Sequence, residues 1–414
     1  MISNQNKRVV ITGIGMITPV GTSTQETYQN LLIGKSGISK VRSCDTSDID
    51  VKIAGEINFD MSNFLDKREQ KRMDRFTQLA IIASDEAVKE SMLQIEKIAD
   101  NVGVIIGSGI GGIRTLEQQY DTLINKGPNR ISPLLIPMYI ADMAAGQVSI
   151  KTGAKGPSYD TVSACASGTD AIGTAYEIIK RGDALAMIAG GTESAICRLG
   201  LSAFRASRTL SIKNNDNPEL ASRPFDKDRD GFVLAEGATS LILEDMEHAL
   251  KRGANIYAEI VSYHQTSDAF HITQPAEDGD GAIKAMEGAL KKGKIKAEQI
   301  HYINAHGTST VLNDKTETLA IKKVFGKNAY NIPINSTKSM IGHTLGAAGA
   351  IEAAVTALSI KNNSIHPTIN LTKQDPECDL DYVPEGKRKL NIQYAMTNSF
   401  GFGGHNSVLI MKNY

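Results

Sequence analysis

Cys165 has the setting of a nucleophile. It lies in Thr161-Val162-Ser163-Ala164-Cys165-Ala166-Ser167-Gly168-Thr169, where an extended run gives way to an amphipathic stretch opening near Ser167. That order predicts a sharp strand-to-helix turn with the thiol at the head of the helix. The positive end of the helix dipole would favour thiolate over thiol and lower the sulfur's pKa, and the small neighbours leave room for a substrate. A small buried cysteine in a tightly packed turn is the alternative reading. Cys44, Cys197 and Cys378 lack this context and read as structural. No two cysteines are close in sequence, so neither a disulfide framework nor a C-x-x-C metal site is expected, and a reducing cytoplasm suits the chain.

Two histidines share the glycine-rich, loop-like surroundings. His306 lies in Ile303-Asn304-Ala305-His306-Gly307-Thr308-Ser309-Thr310, at the end of a short strand and before a helix. His343 lies in Lys338-Ser339-Met340-Ile341-Gly342-His343-Thr344-Leu345-Gly346, before another. A lone histidine is usually a hydrogen-bonded structural residue; with Cys165, this pair suggests a thiol and imidazole site. Neither H-E-x-x-H nor closely spaced Cys ligands occur, so no metal is expected. Lys338 sits in an apolar, glycine-rich segment and needs a carboxylate partner, for which Glu352, Asp314 and Glu317 are candidates; a solvated surface lysine is the alternative. Asn398-Ser399-Phe400-Gly401-Phe402-Gly403-Gly404-His405-Asn406 separates two apolar runs and predicts a glycine-rich turn between strands, able to aim N–H groups at a ligand.

Positioning such residues takes alternating strands and helices. Short β-branched runs end on glycine at Val9–Thr12, Val102–Ile106 and Met187–Ala189. Between them Met73, Phe76, Ala80, Ala83 and Ala87 mark one apolar helical face, as do Ala171, Ile172, Ala175, Ile178 and Ile179, and Ala350, Ile351, Ala354, Val355 and Leu358. This predicts an α/β fold. Ser211–Asp230 reads as a long polar surface loop, and a second α/β unit begins near Asn255, giving halves 1–250 and 251–414. Gly107-Ser108-Gly109-Ile110-Gly111-Gly112 satisfies G-x-G-x-x-G after a strand, but no acidic residue closes a second strand about 20 residues on, so a dinucleotide fold is not expected.

The 414 residues carry 45 basic against 46 acidic side chains, a net charge of -1. That balance gives no case for nucleic acid or an anionic membrane as partner. The apolar runs are too short for a membrane span, and the start, Met1–Arg8, has no cleavage pattern of a leader.

Taken together, S-A-C-A-S-G, N-A-H-G-T-S-T, T-K-S-M-I-G-H-T-L-G-A-A-G and N-S-F-G-F-G-G-H-N resemble the β-ketoacyl-acyl-carrier-protein synthases, and Phe225–Val233 resembles their elongating type. The resemblance implies a thiolase-like five-layered αβαβα fold with two similar halves, a homodimer, and an acyl carrier protein as partner, with no cofactor. It implies that Cys165 takes an acyl group as thioester and that malonyl-carrier protein then loses carbon dioxide and condenses with it in fatty-acid elongation; a ketosynthase of polyketide or other secondary metabolism is the alternative. The backbone N–H groups of Cys165 and Phe402 would hold the oxyanion, His306 and His343 the enolate, and Lys338 their charge and orientation, with Glu352, Asp314 and Glu317 behind it. Phe402 would gate malonyl entry, Ile110 would line the acyl tunnel, and Leu134–Met138 would close it across the dimer. Phe400, Thr308 and Thr310 would contact substrate. On an expected helix Arg68–Arg75, Arg68, Lys71 and Arg72, with Arg208, would dock the acidic carrier. His405 stands where the pattern commonly has Thr.

Overall fold

The computed structural model describes residues 7–414; Met1–Asn6, most of the segment in which no leader is expected, lie outside the described residues. Ten strands form one continuous sheet. Five come from the first part of the chain: β1 (Val9–Ile17), β2 (Val102–Gly107), β3 (Ser158–Tyr159), β4 (Ala186–Glu193) and β5 (Gly237–Asp245). Five come from the second: β6 (Ala258–Ser267), β7 (Tyr302–Asn304), β8 (Ile334–Asn335), β9 (Tyr394–Gly401) and β10 (His405–Lys412). Spatial order in the first set is β3-β2-β4-β5-β1, and in the second β8-β7-β9-β10-β6. Each set, numbered from its own first strand, therefore runs 3-2-4-5-1. The pairings match as well: β2 is parallel to β3 and β4, as β7 is to β8 and β9, while β5 is antiparallel to β4 and β1, as β10 is to β9 and β6. The two halves are one topology used twice, joined where Val9–Ile11 of β1 pairs with Ala258–Ile260 of β6.

The main helices divide into three layers. Outside the first half lie α1 (Arg75–Ser91) and α2 (Met143–Thr152); between the halves lie α3 (Ser167–Arg181) and, from the second half, α6 (Ala348–Asn362); outside the second lie α4 (Asp280–Gly293) and α5 (Val311–Phe325). With the two halves of the sheet between them, this is the five-layered αβαβα arrangement. A helix between two sheets has no solvent face, which explains a departure from expectation at α6. Its spacing suggests one apolar stripe, but every residue from Ala348 to Ile360 is buried. Small side chains permit that burial. On the outer side, Gly15 of β1 lies so close to α1 that a Cβ there would stand 1.9 Å from the Ala83 carbonyl oxygen, so glycine is required for helix and strand to touch.

Two expected elements differ. The stretch Arg68–Arg75 is broken: a short helix Lys67–Gln70, capped by Asp66 and Glu69, stops before Asp74, whose carboxylate accepts the Phe76 N–H and starts α1 afresh. Met73 is therefore buried beside the cap and outside the helix. The segment Ser211–Asp230 lacks regular structure apart from one turn at Pro218–Leu220, yet its second part is no surface loop. Ala221, Ser222, Phe225, Asp226 and Arg229 are buried, and Phe225 stacks on Tyr382 with ring centroids 3.7 Å apart. Its charges point inward because Asp314 and Asp375 meet Arg229 there.

Candidate active site

The turn before each central helix is built alike. Ala164 and Leu345 both take the left-handed backbone conformation, with φ of 52° and 48°, at the head of one-turn 3-10 segments leading into α3 and α6. A positive φ in a residue with a Cβ is strained and persists only where the surroundings hold it. Here Ser167 holds it: its hydroxyl donates to the Ala164 carbonyl at 2.7 Å and accepts the Ser163 N–H at 3.0 Å. Cys165 follows Ala164, so its sulfur stands at the head of α3, on a turn sharper than a simple strand-to-helix junction.

The second half delivers three side chains to that sulfur. His306 follows β7, Lys338 opens a one-turn helix after β8, and His343 follows Gly342, whose φ of 75° ends that helix. His343 Nε2 lies 3.1 Å from Cys165 Sγ, and the sulfur and one ring nitrogen from each histidine lie within 4.8 Å of one another. The imidazoles meet edge to face with centroids 5.4 Å apart. Cys165, His306, His343, Ile110, Thr308, Thr310, Phe400, Phe402 and Arg208 all line one cavity of about 630 Å³. Phe204, Phe232 and Leu345 share its wall, and sequence reasoning did not single these out.

Hydrogen bonds fix how each ring works. His343 Nδ1 accepts the Leu345 N–H at 3.3 Å, and His306 Nδ1 faces the Lys338 ammonium at 3.3 Å. Lysine and a backbone amide can only donate, so each neutral ring carries its proton on Nε2 and presents an N–H to the cavity. Burial, with Lys338 nearby, holds both imidazoles well below the ordinary histidine range, so neutrality is their working state. The same tautomers count against a metal on the Cys165, His306 and His343 cluster. Coordination through Nε2 would move each proton to Nδ1, where it would face another donor.

The sulfur departs from expectation. Burial pushes the Cys165 thiol up to about 11; Lys338 and the N–H of Phe402 pull the other way without overcoming it. A helix end acts with only a partial charge, which does not offset the cost of ionising a largely buried sulfur. At neutral pH the resting group is a thiol.

Of the three candidate partners for Lys338, Glu352 is the one it meets, and both side chains are buried. Burial raises Glu352 to about 7, against the pull of Lys338. Glu317 instead accepts the N–H groups of His306 and Gly307 at 2.9 and 2.8 Å, fixing the backbone that carries the imidazole. Asp314 accepts the N–H of Phe225 and, at 3.2 Å, that of Ser309, beside Arg229. Both support the His306 loop rather than the lysine. Glu193 was missed. The glycine-rich segment after β2 converges on it, with the N–H groups of Gly109 and Ile110 and the Ser108 hydroxyl all donating to its carboxylate. The amide nest that resembles a phosphate loop is thus filled by the chain's own anion. A buried acid ending Gly190-Gly191-Thr192-Glu193 was the available signal.

Arg68, Lys71 and Arg72 are exposed, away from the cavity, while Arg208 is exposed at its mouth. The short helix Leu135–Tyr139, with Ile136 and Tyr139 exposed, does not line the cavity within one chain.

A duplicated thiolase-like fold with a helix-head thiol facing two neutral imidazole donors defines a class of site suited to acyl transfer and carbanion formation. Comparison narrows the class. Family models described as "Beta-ketoacyl synthase, N-terminal domain" and "Beta-ketoacyl synthase, C-terminal domain" match residues 6–249 and 257–372. The chain belongs to the beta-ketoacyl synthase family. It is 53% identical over 413 residues to the 3-oxoacyl-[acyl-carrier-protein] synthase 2 of Staphylococcus aureus (strain COL), covering 99% of each, and 52% identical over 416 residues to that of Synechocystis sp., covering 100% of each. Among solved structures, a beta-ketoacyl synthase from Burkholderia phymatum superposes with a TM-score of 0.91 at 37% identity, over 99% of this chain and 100% of that one. A chain from a type II PKS acyl-carrier protein in complex with its ketosynthase superposes with a TM-score of 0.92 at 37% identity, with the same coverage.

Proposed function

We propose that this chain is an elongating condensing enzyme that joins an acyl group, held on Cys165, to the two-carbon unit of malonyl-carrier protein, giving 3-oxoacyl-carrier protein in fatty-acid synthesis. The observation that carries the reading is the meeting of Cys165 Sγ with His343 Nε2 and a ring nitrogen of His306. In the first half-reaction the Cys165 sulfur attacks the carrier thioester, and its proton ends on the departing carrier sulfur. The tetrahedral oxygen takes the N–H groups of Cys165 and Phe402, and the carrier thiol leaves with a proton. In the second, the malonyl thioester carbonyl accepts from His306 and His343. The bond to the carboxylate breaks, carbon dioxide departs, and its electron pair becomes the enolate. The enolate carbon attacks the acyl-sulfur carbonyl, forming the new carbon–carbon bond and releasing the Cys165 sulfur.

Each donor placed where negative charge develops is worth roughly 3 to 4 kcal/mol in the transition state. Lys338 keeps His306 in the donating tautomer, and Phe402 and Phe400, which line the cavity with the sulfur, serve as the gate that sets the order of binding. The acyl chain runs past Ile110 and alongside Phe204 and Phe232, whose rings meet edge to face in the cavity wall. In a homodimer, the stretch Leu134–Met138, with Ile136 exposed, closes the far end of that tunnel. The carrier docks on Arg68, Lys71, Arg72 and Arg208, and residues 1–250 and 251–414 act as the halves that bring the nucleophile and the donors. The higher identity to the synthase 2 relatives, against 37% to the polyketide ketosynthase, favours fatty-acid elongation.

The test is mass spectrometry after mixing with acyl-carrier protein: the acyl mass is expected on the peptide holding Cys165 and absent in Cys165→Ala. Acylation elsewhere, or persisting in the variant, would overturn the reading.

A further inference from the structure

Outside the groups that face the cavity, one buried carboxylate ties more segments together than the reaction has so far called on. Asp170 lies in the first turn of α3, five positions after Cys165, and is 7% exposed. It accepts three hydroxyls: that of Ser163 in the strained turn, that of Tyr263 on β6 at 2.7 Å, and that of Ser407 on β10. Its neighbour Thr169 exchanges a 2.7 Å hydrogen bond with Ser399 on β9. Ser399 and Ser407 are register partners across the hairpin whose tip carries Phe402. The first turn of the nucleophile helix therefore grips both strands of the gate hairpin at one rung, and the same carboxylate grips the turn that bears Cys165.

The grip lies close to the two groups that hold the oxyanion in the proposed reaction. A Cβ on Gly401 would stand 2.9 Å from the Ser163 carbonyl oxygen and 3.0 Å from the Cys165 nitrogen, so hairpin and turn touch backbone to backbone. A Cβ on Gly349 would stand 2.0 Å from Thr169 Oγ1, which shows how tightly α6 closes over the clamp. A donor pair drawn from two segments works only if they are held in register, because such stabilisation depends on donors fixed before charge develops.

We propose that Asp170, with Thr169, is a positioning residue that sets the Cys165 and Phe402 N–H groups in register by fastening the gate hairpin to the head of α3. The proposal rests on the condensing-enzyme reading. It assigns Asp170 no contact with substrate: the residue acts through Ser163 on one side and Ser407 on the other.

Two reactions of the same sulfur provide the test, because acyl transfer passes through an oxyanion and alkylation by iodoacetamide does not. Losing one oxyanion donor outright costs about 100- to 1000-fold, so misplacing it in Asp170→Ala is expected to slow acyl transfer from acyl-carrier protein about 10- to 100-fold. Because the Phe402 N–H also favours the thiolate, alkylation is compared at a matched thiolate fraction, where it should stay within about threefold of the parent. Asp170→Asn keeps a carbonyl acceptor and is expected to restore most of the acylation rate. Ser407→Ala, a smaller excision that spares the fold, should show the same selective loss to a lesser degree. Equal losses of acylation and alkylation in both Asp170→Ala and Ser407→Ala, or unchanged acylation in both, would overturn the proposal. Failure of the parent protein to take up acyl groups on Cys165 would instead bring down the condensing-enzyme reading, and this proposal with it.

Discussion

On the proposed reaction, replacing His306 with alanine is expected to separate the two half-reactions. The imidazole presents Nε2–H to the cavity, stands at the edge of the sulfur's surroundings, and is held by Lys338 on Nδ1 and by Glu317 through its backbone N–H. The Cys165 oxyanion has its own donors, so acyl transfer keeps its main stabilisation. Decarboxylation loses one of two enolate donors, about 3 to 4 kcal/mol or roughly 100- to 1000-fold. The Lys338 ammonium keeps Glu352 but loses an acceptor, costing about 1 to 3 kcal/mol of stability for a buried group left short of a partner. The assay follows acyl mass on Cys165 and carbon dioxide released from malonyl-carrier protein, in parallel, with unfolding midpoints as control. Decarboxylation falling by two orders of magnitude or more while acylation changes by about tenfold or less is the expected outcome. Equal losses in both, or full condensation by His306→Ala, would refute the division of labour.

Because burial holds the Cys165 thiol near 11, its alkylation by iodoacetamide should rise about tenfold per pH unit from 7 to 9; a plateau in that range would show a thiolate already formed. Lys338→Met leaves Glu352 buried without its cation; because burial already holds that carboxyl near 7, it takes up a proton, and the expected cost is about 1 to 3 kcal/mol by denaturant unfolding, part of which Lys338→Met with Glu352→Gln recovers; an unchanged midpoint in the single variant would sink this account. Reversing Arg68, Lys71 and Arg72 to glutamate should raise KM for carrier-bound substrate at low salt and leave turnover of a free pantetheine thioester as it was. Because exposed charges are screened beyond ~10 Å at 0.1 M, the difference should shrink as salt rises, and an effect insensitive to salt would argue against steering.

Much of the site is legible in the chain because each candidate side chain is a chemically reactive or charged group set among glycine or other small residues. Cys165, His306 and His343 stand out that way, and Lys338 stands out as a cation in an apolar stretch. What the sequence hides follows from distance and burial. Nothing local tells Lys338 whether its anion is Glu352, Asp314 or Glu317. That choice is made when α6 packs between the halves and brings Glu352 up to the lysine while α5 holds the other two against the His306 loop. The inward turn of Ser222–Arg229 is hidden for a related reason: a polar composition predicts solvent, and only Asp314 and Asp375, far along the chain, make burial of Arg229 tolerable. The duplication is invisible because the two halves share strand order and pairing, which depend on where apolar runs fall, and not residue identities.

The environment that raises the thiol also makes the imidazoles useful. A buried histidine beside a lysine cation is kept neutral, and a neutral ring has one donor and one acceptor. Which nitrogen donates is then decided by what faces the other, and both rings face groups that can only donate. The cavity thereby acquires two N–H donors that carry no net charge and leave no metal-competent lone pair on Nε2. An imidazolium pair would bind malonyl carboxylate strongly in the ground state and oppose its loss as carbon dioxide. Neutral donors favour the enolate oxygen, where charge accumulates only as the carboxylate departs, and this difference between ground and transition state is the condition for catalysis. Lys338 serves the arrangement from behind: its charge is matched by Glu352 and expressed in the cavity through the proton position on His306.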